Sequence, residues 1–155
     1  MTQAAGSIAS GINLAGKSAI VTGGTRGLGR AIAAALATAG CRVTVCGRTR
    51  PDSLLDGISF VAADVRDADQ ARALVDAVVE REGAIDIIVN NAGGSPATDV
   101  ASASPRFVDA ILKLNLVAPL YMAQAAHRHM TAQGGGSIIN IASVNGVIPG
   151  MAQGI

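Results

Sequence analysis

The side chains best suited to chemistry begin with a glycine-rich stretch, Thr22-Gly-Gly-Thr-Arg-Gly-Leu-Gly29. A short apolar run precedes it and a helical pattern follows. Gly23, Gly27 and Gly29 let the backbone turn tightly and let an anion approach. The helix N-terminus adds N–H groups and a positive dipole end, a combination suited to a pyrophosphate. The spacing departs from G-x-G-x-x-G, because three residues separate Gly23 from Gly27 and one separates Gly27 from Gly29. Thr25, Arg26 and Leu28 fill the gaps. Arg48 follows the second apolar run, so two guanidinium groups stand where a phosphate is readily held. Asp64 follows the third apolar run, Asn91-Ala-Gly93 the fourth and Ser143 the fifth.

Other candidates carry less chemistry. His127 and His129 are two apart on a helical pattern, point in different directions, and read as helix-surface residues. Cys41 and Cys46 flank one short strand-like run and stand roughly 16 Å apart if it is extended, too far for a disulfide. No further Cys or His sits at ligand spacing, so no metal site is expected.

The elements that must position these groups follow from pattern. Residues 17–22, 42–46, 58–63, 85–90 and 137–142 read as buried strands by length and flanks. A helix over 27–39 presents Ile32 and Leu36 on one face and stops at Gly40. Asp67, with Gln70 three residues later, predicts a capping box. Ala71, Leu74, Val75, Val78 and Val79 then form the apolar stripe of a helix ending at Gly83. Ser104-Pro105 starts a helix that reaches about residue 131, bent near Pro119. Strands apolar throughout and joined by helices predict an α/β fold. The sheet is parallel, doubly wound and Rossmann-like, with five strands. Residues 1–12 read as a loose tail and 13–155 as the domain.

Composition agrees and excludes other classes. Half of the 155 residues are apolar, 15% are charged, and the net charge is +1. Mean hydropathy is +0.42. Such a chain is not disordered. It has no basic excess for nucleic acid and no apolar run of membrane length. Residues 1–16 do not read as a secretory signal, so a cytoplasmic protein is expected.

The motif T-G-x-x-x-G-x-G after the first strand, Asn90-Asn-Ala-Gly93 after the fourth, and Leu14-Ala-Gly-Lys17 before the first together resemble the short-chain dehydrogenase/reductase family. The resemblance covers residues 14–155. It implies an oxidoreductase moving hydride between a nicotinamide dinucleotide and a small carbonyl or alcohol substrate. It places Gly23 to Gly29 on the cofactor. Asp64 would meet the adenine amino group and Val65 the adenine ring. Asn91, Ala92 and Gly93 would line the channel near the nicotinamide ribose, while Asn90 would fix the sheet through backbone hydrogen bonds. A carboxylate ending the second strand would bind the adenosine ribose hydroxyls. Here that place is Gly47, followed by Arg48, and Arg26 lies in the loop, so NADP(H) is favoured over NAD(H).

For catalysis the resemblance implies Ser143 on the reacting oxygen and Asn115 in the water relay. Its Tyr-x-x-x-Lys pair has no match here. Tyr121 is the only tyrosine, with Ala125 at the lysine offset, and the only lysines are Lys17 and Lys113. By family spacing the tyrosine falls just past Ile155, and roughly a hundred further residues would add C-terminal strands and helices. The expectation is a fragment with little turnover alone, from a parent that forms a homo-oligomer through the helix starting at Ser104. Residues 138–141 fit a central strand, so the chain by itself would expose an apolar sheet edge. The alternative is a non-catalytic NADP(H)-binding or regulatory module.

Overall fold

A computed structural model describes residues 12–143. The expected tail lies outside these residues except for Ile12, as does everything after Ser143. The strands are β1 (Ser18–Thr22), β2 (Arg42–Gly47), β3 (Ile58–Ala62), β4 (Ile87–Asn90) and β5 (Ser137–Asn140). The helices are α1 (Gly27–Thr38), α2 (Ala68–Glu82), α3 (Pro105–Leu112) and α4 (Ala118–Ala132). All strand pairs are parallel, in the order β3-β2-β1-β4-β5. This is the doubly wound, Rossmann-like sheet predicted from the pattern.

Alternation along the strands builds two cores. Ala19, Val21, Val43, Val45 and Val89 face α1 and its Ala33. Ile20, Cys46 and Ile88 face the opposite layer, where Leu74, Val75 and Val78 of α2 meet Met122 and Ala126 of α4. Because β1 leads outward to β2 and β3 returns through α2 to β4, the winding direction reverses between β1 and β4. In such sheets the crevice at the strand C-termini beside that reversal receives ligands.

Two local expectations change. Asp67 does cap α2, accepting from the N–H groups of Asp69 and Gln70. Gln70, however, does not reach back to the Asp67 N–H, which already donates to Asp64 O. Its Oε1 accepts instead from the Asp64 N–H at 2.9 Å. The long helix is interrupted before Pro119, by a π-helical stretch at Lys113–Val117. Pro119 has no N–H for the carbonyl of Asn115, so the ladder must break around this point, and the wider turn places the break upstream of the proline. A one-turn 3-10 helix at Val100–Ser102, absent from the sequence reading, precedes Ser104, whose Oγ caps α3 through the Phe107 N–H.

Among the described residues β5 forms one edge of the sheet, and Ile138, Ile139 and Ile141 are 40–46% exposed. No described helix is long and apolar enough to cross a membrane.

Candidate active site

The glycine loop leaves β1 at Thr22, a buried residue 2% exposed. Its Oγ1 accepts from the N–H groups of Asn91 and Ala92, at 3.0 and 2.9 Å, and donates to Val89 O at 3.4 Å. Asn91 answers with its side chain, donating from Nδ2 to Thr22 O and Gly23 O at 3.0 and 3.3 Å. These bonds tie the turn after β1 to the turn after β4 across the crevice. Thr22 was not singled out as a site residue from the sequence. The signal that could have found it was its place as the first residue of the T-G-x-x-x-G-x-G motif.

Gly23 has φ +63, a region costly for other residues, and its N–H donates to Cys46 O at 3.0 Å. Gly29 sets the approach of α1 to this tie. A Cβ there would stand 2.4 Å from Asn91 Nδ2 and 2.5 Å from Gly23 O. The α1 N-terminus is left open. Arg26 is its N-cap residue but makes no capping bond, and the first turn holds no acidic side chain. Its first N–H groups therefore lack intrahelical partners. Gly27 and Leu28 are exposed there, Leu28 by 60%. An uncapped helix end beside a glycine turn fits a dinucleotide pyrophosphate.

At the next strand end, the Ala63 N–H donates to Gly47 O at 3.0 Å, which sets the ends of β2 and β3 side by side. Gly47 lies against Thr25, and a Cβ on it would sit 3.8 Å from the Thr25 methyl, an ordinary contact. Arg48 and Arg26 are exposed. Arg50 lies over the Phe60 ring, 5.8 Å from its centroid. Val65 is 6% exposed and packs into the core with Ile20, Cys46 and Leu74. The Asp64 carboxylate is engaged by Arg66, whose Nε and Nη2 donate to it at 2.9 and 2.6 Å. Those hydrogen bonds lower its pKa, against an opposing effect of burial. Arg66 is a second residue the sequence reading passed over, although a cation two residues after a turn carboxylate was a readable signal.

On the other side of the crevice, Asn115 sits in the π-helical stretch. Its Oδ1 accepts from the Gly94 N–H at 2.9 Å, and Nδ2 donates to Gly94 O at 3.1 Å and Ile111 O at 2.9 Å. Gly93 passes so close that a Cβ on it would meet Asn115 Oδ1 at 2.9 Å. Asn90 bonds across the sheet, donating from Nδ2 to Asn140 Oδ1 at 2.9 Å, while its carbonyl accepts from the Ile141 N–H at 2.9 Å. That pairing carries the chain after β5 along the same edge toward Ser143, which is exposed.

The fold thus gathers Gly23, Thr25, Arg26, Gly27, Leu28 and Gly29 with Asn91, Ala92 and Gly93 around one crevice. The family model described as short chain dehydrogenase matches residues 17–155. The chain belongs to the short-chain dehydrogenase family.

Members of this family use a nicotinamide cofactor, in keeping with the open α1 N-terminus. Relatives include the 2-dehydro-3-deoxy-D-gluconate 5-dehydrogenase of Escherichia coli (strain K12), 39% identical over 88% of this chain and 57% of its own length. The 7alpha-hydroxysteroid dehydrogenase of Clostridium sardiniense is 38% identical over 90% of this chain and 58% of its own. A crystal structure of a short-chain dehydrogenase from Streptomyces avermitilis superposes with a TM-score of 0.78 at 30% identity, covering 85% of this chain and 51% of that one. The chain therefore spans somewhat over half the length of these family members.

Residues outside the crevice behave structurally. His127 is exposed, as expected. His129 is not a surface histidine. Its side chain is 24% exposed, and Nε2 lies 2.8 Å from Asp76 of α2, which Arg128 also pairs. Helix packing places it there, because α4 presses this face onto α2. Cys41 and Cys46 are buried free thiols. Burial pushes Cys46 up to about 12 and Cys41 up to about 11, the latter helped by Asp86 and opposed by Arg42.

Proposed function

We propose that this chain forms the cofactor-binding part of an NADP(H)-dependent oxidoreductase that moves hydride between nicotinamide and a small carbonyl or alcohol substrate. One observation carries the cofactor preference. At the end of β2 the chain has Gly47 and Arg48, with Arg26 in the adjoining loop and no carboxylate at the ribose position. A 2′-phosphate would meet guanidinium groups there instead of a repelling carboxylate.

In this reading the first N–H groups of α1 hold the pyrophosphate, and Arg26 and Arg48 take the 2′-phosphate. Asp64 and the turn around Val65 border the adenine. Ala92 and Gly93 border the nicotinamide ribose, and Asn91 fixes that border to the glycine loop. The bound cofactor supplies the hydride. Ser143 donates a hydrogen bond to the reacting oxygen, and Asn115 holds residues 93–94 in position beside it. The parent protein assembles as a homo-oligomer. Leu112, Leu116 and Leu120, spaced four apart and 46%, 66% and 54% exposed, supply an apolar stripe for pairing. The buried thiols Cys41 and Cys46 accord with a cytoplasmic location.

Fluorescence titration with NADPH and NADH tests the cofactor assignment. The expected result is tighter binding of NADPH by about tenfold or more, equivalent to roughly 1.4 kcal/mol. Equal affinities would overturn it.

A further inference from the structure

The end of β3 carries a device that the position of Arg48 does not explain. Asp64 follows directly on Ala63, whose N–H bonds to Gly47 O, so its backbone lies beside the strand end that leads into Arg48. Left unpaired, a carboxylate beside that strand end would compete with a phosphate for the guanidinium.

It is not left unpaired. Arg66 Nε donates to Oδ1 at 2.9 Å and more weakly to Oδ2 at 3.2 Å, Nη2 donates to Oδ2 at 2.6 Å, and the Arg66 backbone N–H adds a bond to Oδ1 at 3.1 Å. The turn that makes this geometry is itself fixed. Gln70 accepts from the Asp64 N–H, and the Asp67 N–H donates to Asp64 O. The pair is only partly exposed, 26% for Asp64 and 32% for Arg66, so solvent screens it less than a surface pair. The carboxyl group is lowered in pKa chiefly by Arg66, with burial opposing and Arg48 adding the smallest contribution. Arg66 is thus the dominant partner of the Asp64 carboxylate.

We propose that Arg66 is a specificity-determining residue for the cofactor: it neutralises Asp64 through a bidentate pair and thereby leaves Arg48 to a 2′-phosphate. The proposal rests on the NADP(H) reading and adds a residue that acts on it through Asp64. Arg66 is a positioning residue, and its effect is electrostatic.

Equilibrium titrations of the full-length protein with NADPH and with NADH test it in wild type, Arg66→Gln, Arg66→Lys, Asp64→Asn and the double variant Asp64→Asn/Arg66→Gln. Arg66→Gln is expected to weaken NADPH by about tenfold and NADH by less than about twofold. In the Asp64→Asn background the same change is expected to cost NADPH less than about twofold, because no charge remains to neutralise. Arg66→Lys keeps the charge and loses the bidentate fork, so its NADPH loss should fall between wild type and Arg66→Gln. If Arg66→Gln does not fold, Arg66→Lys and Asp64→Asn carry the test alone.

An NADPH-to-NADH preference unchanged by Arg66→Gln or Arg66→Lys would overturn the proposal. So would a full tenfold loss from Arg66→Gln in the Asp64→Asn background, which would mean that Arg66 touches the phosphate itself. Equal affinity of the wild-type protein for both cofactors is a different failure and sinks the NADP(H) reading.

Discussion

Asn115 grips Gly94 by both backbone polar groups, accepting from its N–H at 2.9 Å and donating to its carbonyl at 3.1 Å. The two residues are 21 positions apart in the chain. A third bond, to Ile111 O, roots the clamp in α3. Asn115→Ala removes all three. Gly94 is exposed, so water replaces part of the loss, and a destabilisation of about 1 kcal/mol is expected. The sharper readout is local. Hydrogen exchange at the Gly94 amide should speed up by about tenfold or more while amides in β1 stay protected.

Gly29 is where α1 comes closest to the tie between Thr22 and Asn91. Gly29→Ala would press a methyl to 2.4 Å from Asn91 Nδ2 and 2.5 Å from Gly23 O. Neither neighbour is the tip of a flexible chain free to leave, since the amide is bonded to Thr22 O and Gly23 O. The variant should lose about 1–3 kcal/mol of stability, measured by urea denaturation, and most of its cofactor affinity.

Gly47 offers the converse. A Cβ there makes only ordinary contact, the nearest atom being 3.8 Å away, so Gly47→Asp should fold normally. Its carboxylate would stand at the ribose position beside Arg48. NADPH affinity is expected to fall by about tenfold or more with NADH spared or improved. Arg48→Ala should weaken NADPH selectively. Parallel losses for both cofactors, measured by titration, would count against the phosphate contact.

Asp86 makes a pH prediction. Burial raises its pKa, but the bonds from Lys17 Nζ and the Ser18 N–H, both 2.9 Å, outweigh this and leave it lowered. A lowered carboxyl stabilises the fold fully above its unfolded pKa of about 3.9, and the contribution is lost as pH falls through the folded value. Asp64 and Asp76 act in the same direction. Asp86→Asn should cost about 1–2 kcal/mol at pH 7, a modest figure because Lys17 is mostly exposed. It should also flatten the fall in stability below pH 4, as followed by circular dichroism during urea titration.

Cys46, pushed up to about 12 by burial, and Cys41, to about 11, hold almost no thiolate near neutrality. An aromatic disulfide reagent at pH 8 should react with neither thiol in the native protein. Both should be released together on unfolding. A fast native reaction at Cys46 would show that β2 opens independently.

The predicted elements matched the strands and helices closely because their signals are local. The stripe on α2, the Ser104-Pro105 start and the glycine stops depend on residues within a turn or two of one another. Two of the misread details depend on distant or competing partners. Gln70 bonds Asp64 because Asp67 already uses its N–H on the Asp64 carbonyl. His129 is mostly covered because α4 lies on α2, and nothing in the spacing of His127 and His129 records that packing.

The sequence by itself determined a parallel α/β fold, an open helix end behind a glycine turn, and an absence of carboxylate at position 47. Each follows from residue type at a short spacing. Only the tertiary structure decided how the crevice is held. Thr22 finds Asn91 across the winding reversal, Asn115 finds Gly94, and the ends of β2 and β3 lie side by side through the bond from the Ala63 N–H to Gly47 O. Hydrogen bonds and ion pairs act over a few ångströms of space whatever the separation in chain. The residues that build the site are therefore readable one at a time in the sequence, and their couplings are readable only in the folded chain.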